Sequence, residues 1–384
     1  MQPPTLRELF AYNDWARDRV LHVAAGLAAG PLDRPFDMGP GTLRATLHHL
    51  WGAERVWLDR WQAIPRERHA AQLDNKAVEL PVLQEWFQRT AAERDAFLAA
   101  HASAAELDRP ITYTNFRGET FTQPLGLLAL HVCNHGVHHR AQAANMLRRV
   151  GAQPPRLDYV FMRLERPTCE QTAEQRAWLR ERGLGGVHDP VAPPPYSIAD
   201  LRTYFRYTDW AQQQVLGAAE ALGDEALDRP FEMGLGSLRK TLLHLIDAEQ
   251  WWEANWRSAD HGIMPQPWQA LPAQTPMAAV GRLWREAAAA RNARLERASD
   301  AELQRPVNAA TTPGRTLAVR MGESLLQLCG HGTHHRAQAL NMLRHLGGRT
   351  PGLDLVTWLR EAGGRAEPGC LQPGTGRGRD QVLE

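Results

Sequence analysis

Apolar residues near the start of the chain fall at helical spacing: Leu6, Leu9 and Phe10, then Trp15, Val20 and Leu21. The pattern predicts a helix from about Thr5 to Ala29. A turn-rich stretch follows, with Asp33-Arg34-Pro35 and Gly39-Pro40-Gly41, and Thr42 is placed to cap a second helix that runs to about Trp61. A third helix spans Pro81 to about His101. A fourth spans about Thr122 to Val150, where Gly151 and Pro154 end it. Strand signals are limited to short stretches such as Ile111-Thr112-Tyr113-Thr114. Four helices with one longer loop between the third and fourth predict an all-α four-helix bundle.

The whole pattern then recurs. Leu6-Arg-Glu-Leu-Phe-Ala-Tyr-Asn-Asp-Trp15 returns as Leu201-Arg-Thr-Tyr-Phe-Arg-Tyr-Thr-Asp-Trp210. Leu32-Asp-Arg-Pro-Phe-Asp-Met-Gly39 returns as Leu227-Asp-Arg-Pro-Phe-Glu-Met-Gly234, and Ser237 takes the capping place of Thr42. His135-Gly-Val-His-His-Arg-Ala-Gln-Ala-Ala-Asn-Met-Leu147 returns as His331-Gly-Thr-His-His-Arg-Ala-Gln-Ala-Leu-Asn-Met-Leu343. The chain therefore reads as one domain written twice. The first copy covers 1–182, a Gly/Pro-rich spacer covers 183–195, and the second copy covers 196–362. The Gly/Arg/Pro-rich tail 363–384 is expected to be disordered.

Composition narrows the function classes. The 44 basic and 43 acidic side chains leave a net charge of +1, which argues against a nucleic-acid partner. Four cysteines, none in a CxxC pair, make no disulfide framework and point to a reducing compartment. With no signal-peptide pattern at the start and no apolar run near the ~18 residues of a membrane span, the expectation is a cytoplasmic protein without a membrane partner.

The repeat sorts the 16 histidines. His49, His135 and His139 recur as His244, His331 and His335, whereas His22, His48, His69, His101 and His131 do not. His135 and His139 are four apart on one helix, about 40° around the axis, so their imidazoles can converge on one ion. His49 on the second helix is the recurring candidate for a third ligand. Three histidines leave an open coordination position, the layout of a catalytic rather than a closed site. An alternative register makes His138 a ligand; in the preferred one, His138 and His334 lie beside the ligands. Gln142 and Gln338 lie within reach of the same helix face. Asp14 and Asp209, Glu54 and Glu249, and Asn145 and Asn341 are possible partners for ligand N–H groups, or else interhelical contacts. Arg140 and Arg336 read as anion-binding groups or as surface ion pairs. Cys133 and Cys329 face away from the ligands and read as core. No catalytic acid or base stands out.

These residues make each half resemble the DinB/YfiT-like superfamily over nearly its full length. The matching pieces are Tyr12-Asn-Asp-Trp15, Thr42-Leu-Arg-Ala-Thr-Leu-His-His49-Leu-Trp-Gly-Ala-Glu54 and Asn134-His135-Gly-Val-His-His139-Arg-Ala-Gln142. The second copy supplies Tyr207-Thr-Asp-Trp210, Leu243-His244-Leu-Ile-Asp-Ala-Glu249 and His331-Gly-Thr-His-His335-Arg-Ala-Gln338. The family often has Gly where this chain has Ala141 and Ala337. The resemblance implies a divalent ion, zinc or nickel foremost with manganese or iron as alternatives, on His49, His135 and His139 and on His244, His331 and His335. It also implies an enzyme of the thiol S-transferase or hydrolase type, acting on a small molecule with a low-molecular-weight thiol as cosubstrate. The alternative is a non-catalytic metal- or ligand-binding protein of the stress or damage response. Since the family frequently forms homodimers, the tandem is expected to be a monomer whose halves pack as a pseudo-twofold dimer.

Overall fold

A computed structural model of the chain describes residues 1–115, 117–181, 190–257, 270–312 and 315–363. Most of the spacer (183–189) and the tail from 364 lie outside the described residues. The principal elements, in order, are α1 (Pro3–Ala25), α2 (Leu43–Trp61), α3 (Leu80–Ala100), the hairpin β1 (Pro110–Thr114) and β2 (Thr120–Pro124), α4 (Leu125–Arg149) and α5 (Tyr159–Glu165). They are followed by α6 (Ile198–Glu220), α7 (Leu238–Arg257), α8 (Met277–Arg297), the hairpin β3 (Pro306–Thr312) and β4 (Arg315–Arg320), α9 (Met321–His345) and α10 (Leu355–Gly363). The fold class is all-α, as the apolar spacing predicts.

The chain divides into two compact units. One comprises Met1–Pro155 with Arg349–Glu384, and the other comprises Arg156–Gly348. In the first, α4 packs on α1 and α2, α3 packs on the same two helices, and α10 lies against α4. In the second, α9 packs on α6 and α7, α8 packs on the same pair, and α5 lies against α9. Each core is built from the periodic apolar positions: Leu6, Phe10, Val20, Leu43 and Leu47 are buried in the first unit, and Leu201, Phe205, Val215, Leu238 and Leu242 in the second. Neither α5 nor α10 was anticipated from the apolar pattern.

Several boundaries differ from the sequence reading. The first helix stops at Ala25 rather than Ala29, because the chain turns at Gly26 and re-enters a short helix at Ala29–Asp33. The strand-like run at 111–114 finds a partner at 120–124, with Ile111 opposite Gln123 and Tyr113 opposite Phe121. Thr122 therefore belongs to a strand, and the fourth helix starts at Leu125. The caps behave as expected: Thr42 Oγ1 accepts from Ala45 N at 3.0 Å, and Ser237 Oγ accepts from Lys240 N at 3.2 Å.

Candidate metal centre

Helix α4 is amphipathic in an unusual way, because its inward stripe carries polar groups. His135 and His139, one turn apart, project beside His49 of α2. His49 Nε2 lies 3.2 Å from His135 Nε2 and 3.1 Å from His139 Nε2. In the second unit, His331 Nε2 of α9 lies 3.0 Å from His244 Nε2 of α7, and His335 completes the trio. Each trio offers one nitrogen per residue within 4.8 Å of the others. Ligands about 2.0–2.1 Å from one ion and separated by 90–110° stand about 2.8–3.4 Å apart, so the observed spacings fit a shared ion. A hydrogen bond explains one such close pair but not two that share His49 Nε2.

The electrostatics favour bare, neutral nitrogens. Burial, reinforced by the neighbouring His138 and His48, lowers the His49 pKa to about 4. Burial and the adjoining imidazoles hold His135 and His139 well below their ordinary value. Burial and His331 lower His244 to about 3, and His335 is likewise depressed. A metal ion needs unprotonated imidazole, and the fold supplies it.

Neighbouring side chains fix which nitrogen faces inward. Gln142 Oε1 accepts from His139 Nδ1 at 2.8 Å, leaving Nε2 as the lone-pair atom. The same amide's Nε2 donates to His138 Nε2 at 3.1 Å. The second unit repeats both contacts, His335 Nδ1 to Gln338 Oε1 at 2.8 Å and Gln338 Nε2 to His334 Nε2 at 3.0 Å. His138 and His334 thus face the Gln142 and Gln338 amides, on the far side of those amides from His139 and His335.

The duplicated Met-Gly turn is explained here. Gly39 has φ +48°, and a Cβ built on it would lie 2.2 Å from Gln142 Oε1; at Gly234, φ +52°, the distance to Gln338 Oε1 would be 2.6 Å. The turn backbone lies directly against the bridging amide, which only glycine permits. Gly136 and Gly332, between the helix-borne histidines, serve a related purpose. A Cβ there would come within 2.7 Å of the guanidinium of Arg140 or Arg336.

Other expectations resolve against direct roles at the trio. Asp14 pairs with Arg94 at 2.6 Å and with Arg17, and Asp209 pairs with Arg291 at 2.6 Å. Glu54 accepts from Asn13 at 2.9 Å and Glu249 from Arg291 at 3.0 Å. Burial raises the pKa of both glutamates. Apart from the Asp14–Arg17 pair within α1, these are interhelical ties, and Asn145 donates to Met38 Sδ in the Met-Gly turn. Arg140 and Arg336 are corrected: both are buried, so neither is a surface ion pair. Arg140 donates to Asn13 Oδ1 and Arg336 to Thr333 Oγ1, inside the helix packing. Cys133 and Cys329 are core residues whose thiol pKa is pushed up by burial.

Sequence reasoning missed Asp158. Its Oδ1 accepts from His331 Nδ1 at 3.1 Å and from Gln327 Nε2 at 3.0 Å, all within the second unit. The signal that could have found it is Leu157-Asp158 recurring as Leu353-Asp354.

Fold and site together define a duplicated helical protein with a candidate three-histidine metal site in each unit. Neither curated proteins nor solved structures gave a match. The family model described as "DinB family" matches residues 1–174 and again 197–369, and the chain belongs to the DinB family, in two tandem copies. No helix among the described residues is long and apolar enough to cross a membrane.

Proposed function

We propose that each unit binds one divalent metal ion, through His49, His135 and His139 in one and through His244, His331 and His335 in the other. The ion serves a reaction of the thiol S-transfer or hydrolytic type on a small-molecule substrate. The observation that carries this reading is the convergence of three imidazoles in each unit, with His49 Nε2 at 3.1–3.2 Å from its two partners, His331 Nε2 at 3.0 Å from His244 Nε2, and the nitrogens of each trio within 4.8 Å of one another. Zinc or nickel is the favoured ion; iron also suits imidazole donors, and manganese, which prefers oxygen ligands, is the weakest fit. When bound, such an ion supplies an open position at which the pKa of a thiol or water falls toward neutrality.

The chain's own contribution is orientation and exclusion of water. Gln142 and Gln338 hold His139 and His335 with Nδ1 protonated and Nε2 inward. His49, His135 and His244 are 6–7% exposed, which keeps bulk water from competing at the site. With Cys133 and Cys329 buried and their thiol pKa raised, the nucleophilic thiol comes from a low-molecular-weight cosubstrate. The same low exposure favours a second reading, a non-catalytic metal- or ligand-binding protein.

Metal content measured on untagged chain, beside His135→Ala, His331→Ala and the double variant, tests the proposal. About two ions per chain, falling to one in each single variant and to none in the double, is expected. An absence of bound ion after reconstitution with zinc, nickel, manganese or iron refutes it. Activity of the loaded chain toward electrophiles with and without an added thiol then separates the enzyme from the binding protein.

A further inference from the structure

A metal-bound imidazole is held by what its other nitrogen donates to, and a carboxylate is a strong acceptor for that role. Gln142 and Gln338 serve one helix-borne ligand in each unit. In the second unit the other helix-borne ligand, His331, is served by Asp158. The carboxylate sits immediately before α5 and takes the His331 Nδ1–H at 3.1 Å, while His331 Nε2 faces His244 at 3.0 Å. Its position is set from a second side. Gln327, one turn before His331 on α9, donates to the same Oδ1 at 3.0 Å, and Gln327 Oε1 accepts from the backbone N–H of Val160 at 2.9 Å. Carboxylate, amide and imidazole thus form one connected set, bridging the start of α5 and α9.

The first unit contains the counterpart sequence. Leu353-Asp354 repeats Leu157-Asp158 with the same offset that relates His135 to His331. Leu157 and Leu353 are equally buried, each 7% exposed. The backbone turn also matches: Phe161 N donates to Asp158 O at 2.9 Å, and Thr357 N donates to Asp354 O at 2.9 Å. The helix that follows each aspartate lies against the ligand-bearing helix of its own unit, α5 against α9 and α10 against α4.

We propose that Asp158 and Asp354 are the positioning carboxylates of the two three-histidine sites, each accepting the Nδ1–H of the first helix-borne ligand, His331 or His135, so that its Nε2 faces the ion. The inference rests on the metal-binding reading for its purpose, but the tautomer it assigns is a property of the metal-free chain. Each site then has both helix-borne ligands locked from behind, one by a carboxylate and one by an amide. The segment that carries the aspartate follows the ligand-bearing helix of the other repeat in sequence.

The test uses the full metal-free chain with 15N-labelled histidine and long-range proton–nitrogen correlation, followed by competition between the chain and a chromophoric chelator for cobalt. In the wild type, His331 and His135 show Nδ1 protonated and Nε2 bare. Asp158→Ala turns His331 into a mixture of tautomers and leaves His135 unchanged; Asp354→Ala does the reverse. Asp158→Asn, which keeps an acceptor oxygen, preserves most of the His331 tautomer and separates positioning from misfolding. On cobalt, each alanine variant weakens one of the two sites by about 10–100-fold and shifts its visible absorption bands. Unchanged His331 in Asp158→Ala, or unchanged His135 in Asp354→Ala, overturns the inference. Failure of the metal reading shows differently, as a wild-type chain that takes up no cobalt at either site.

Discussion

Replacing Gly39 with alanine separates two costs that the structure keeps distinct. At φ +48° a β-carbon strains the backbone by roughly 1–2 kcal/mol. It would also lie 2.2 Å from Gln142 Oε1, closer than a Cβ can approach, so the amide must leave its place between His139 and His138. The obstacle is the far end of a flexible side chain, which can move aside, so the cost there is the two hydrogen bonds the amide makes, about 1 kcal/mol each. Gly39→Ala should therefore destabilise the first unit by about 3–4 kcal/mol. In a Gln142→Ala background the obstacle is gone, and the same change should cost only the roughly 1–2 kcal/mol of backbone strain. Gly41→Ala is the control, since Gly41 also has positive φ (+95°) but nothing within 4 Å of a built Cβ. Native-state hydrogen exchange read by mass spectrometry on α4 peptides reports the first unit separately from the second. Metal release to a chelator should accelerate in Gly39→Ala and not in Gly41→Ala. Strict additivity of Gly39→Ala and Gln142→Ala, with coupling below about 0.5 kcal/mol, would refute the reasoning.

Two further outcomes follow from burial. His49 and His131 have pKa values lowered to about 4 and about 3, chiefly by burial, so below the unfolded value of about 6.5 only the unfolded chain takes up those protons. Stability of the metal-free chain should be level above pH 6.5 and should fall toward pH 4, by about 1.4 kcal/mol per pH unit for each such histidine; denaturant midpoints flat between pH 6.5 and 4.5 would contradict this. Gly136→Ala inverts the usual helix propensity gain of about 1 kcal/mol, because its Cβ would meet Asn13 Oδ1 at 2.2 Å and Arg140 Nη1 at 2.7 Å. A loss of about 2–4 kcal/mol in chemical denaturation is expected, and a stabilised variant would show that these groups yield freely.

The two copies also differ. His131, one turn before His135, stands where the second unit has Gln327. His131 is buried, lies near Trp57 with ring centroids 5.1 Å apart, and has no hydrogen-bond partner at either ring nitrogen among the described residues. Gln327 instead ties Asp158 to α9. The duplication has thus kept all six histidines of the two trios while changing a residue that stands one turn from each.

What the sequence determined by itself was whatever depends on local period and on recurrence. Helical spacing of Leu6, Phe10 and Val20 gave the helices, and Thr42 and Ser237 gave their caps. The return of His135-Gly-Val-His-His139 as His331-Gly-Thr-His-His335 singled out the histidines that converge, and the i, i+4 relation placed two of them on one face. Contacts set by chain segments far apart were decided only in three dimensions. The strand at 111–114 acquires meaning from its partner at 120–124, and the first helix ends where the chain turns at Gly26. Arg140 is a residue type usually found at the surface, and only helix packing shows it buried against Asn13. The apposition of Gly39 with Gln142 joins positions about a hundred residues apart, and that of Asp158 with His331 joins positions still further apart. No periodicity encodes such pairs, because what selects them is the shape left between packed helices and the need of each buried imidazole N–H for an acceptor.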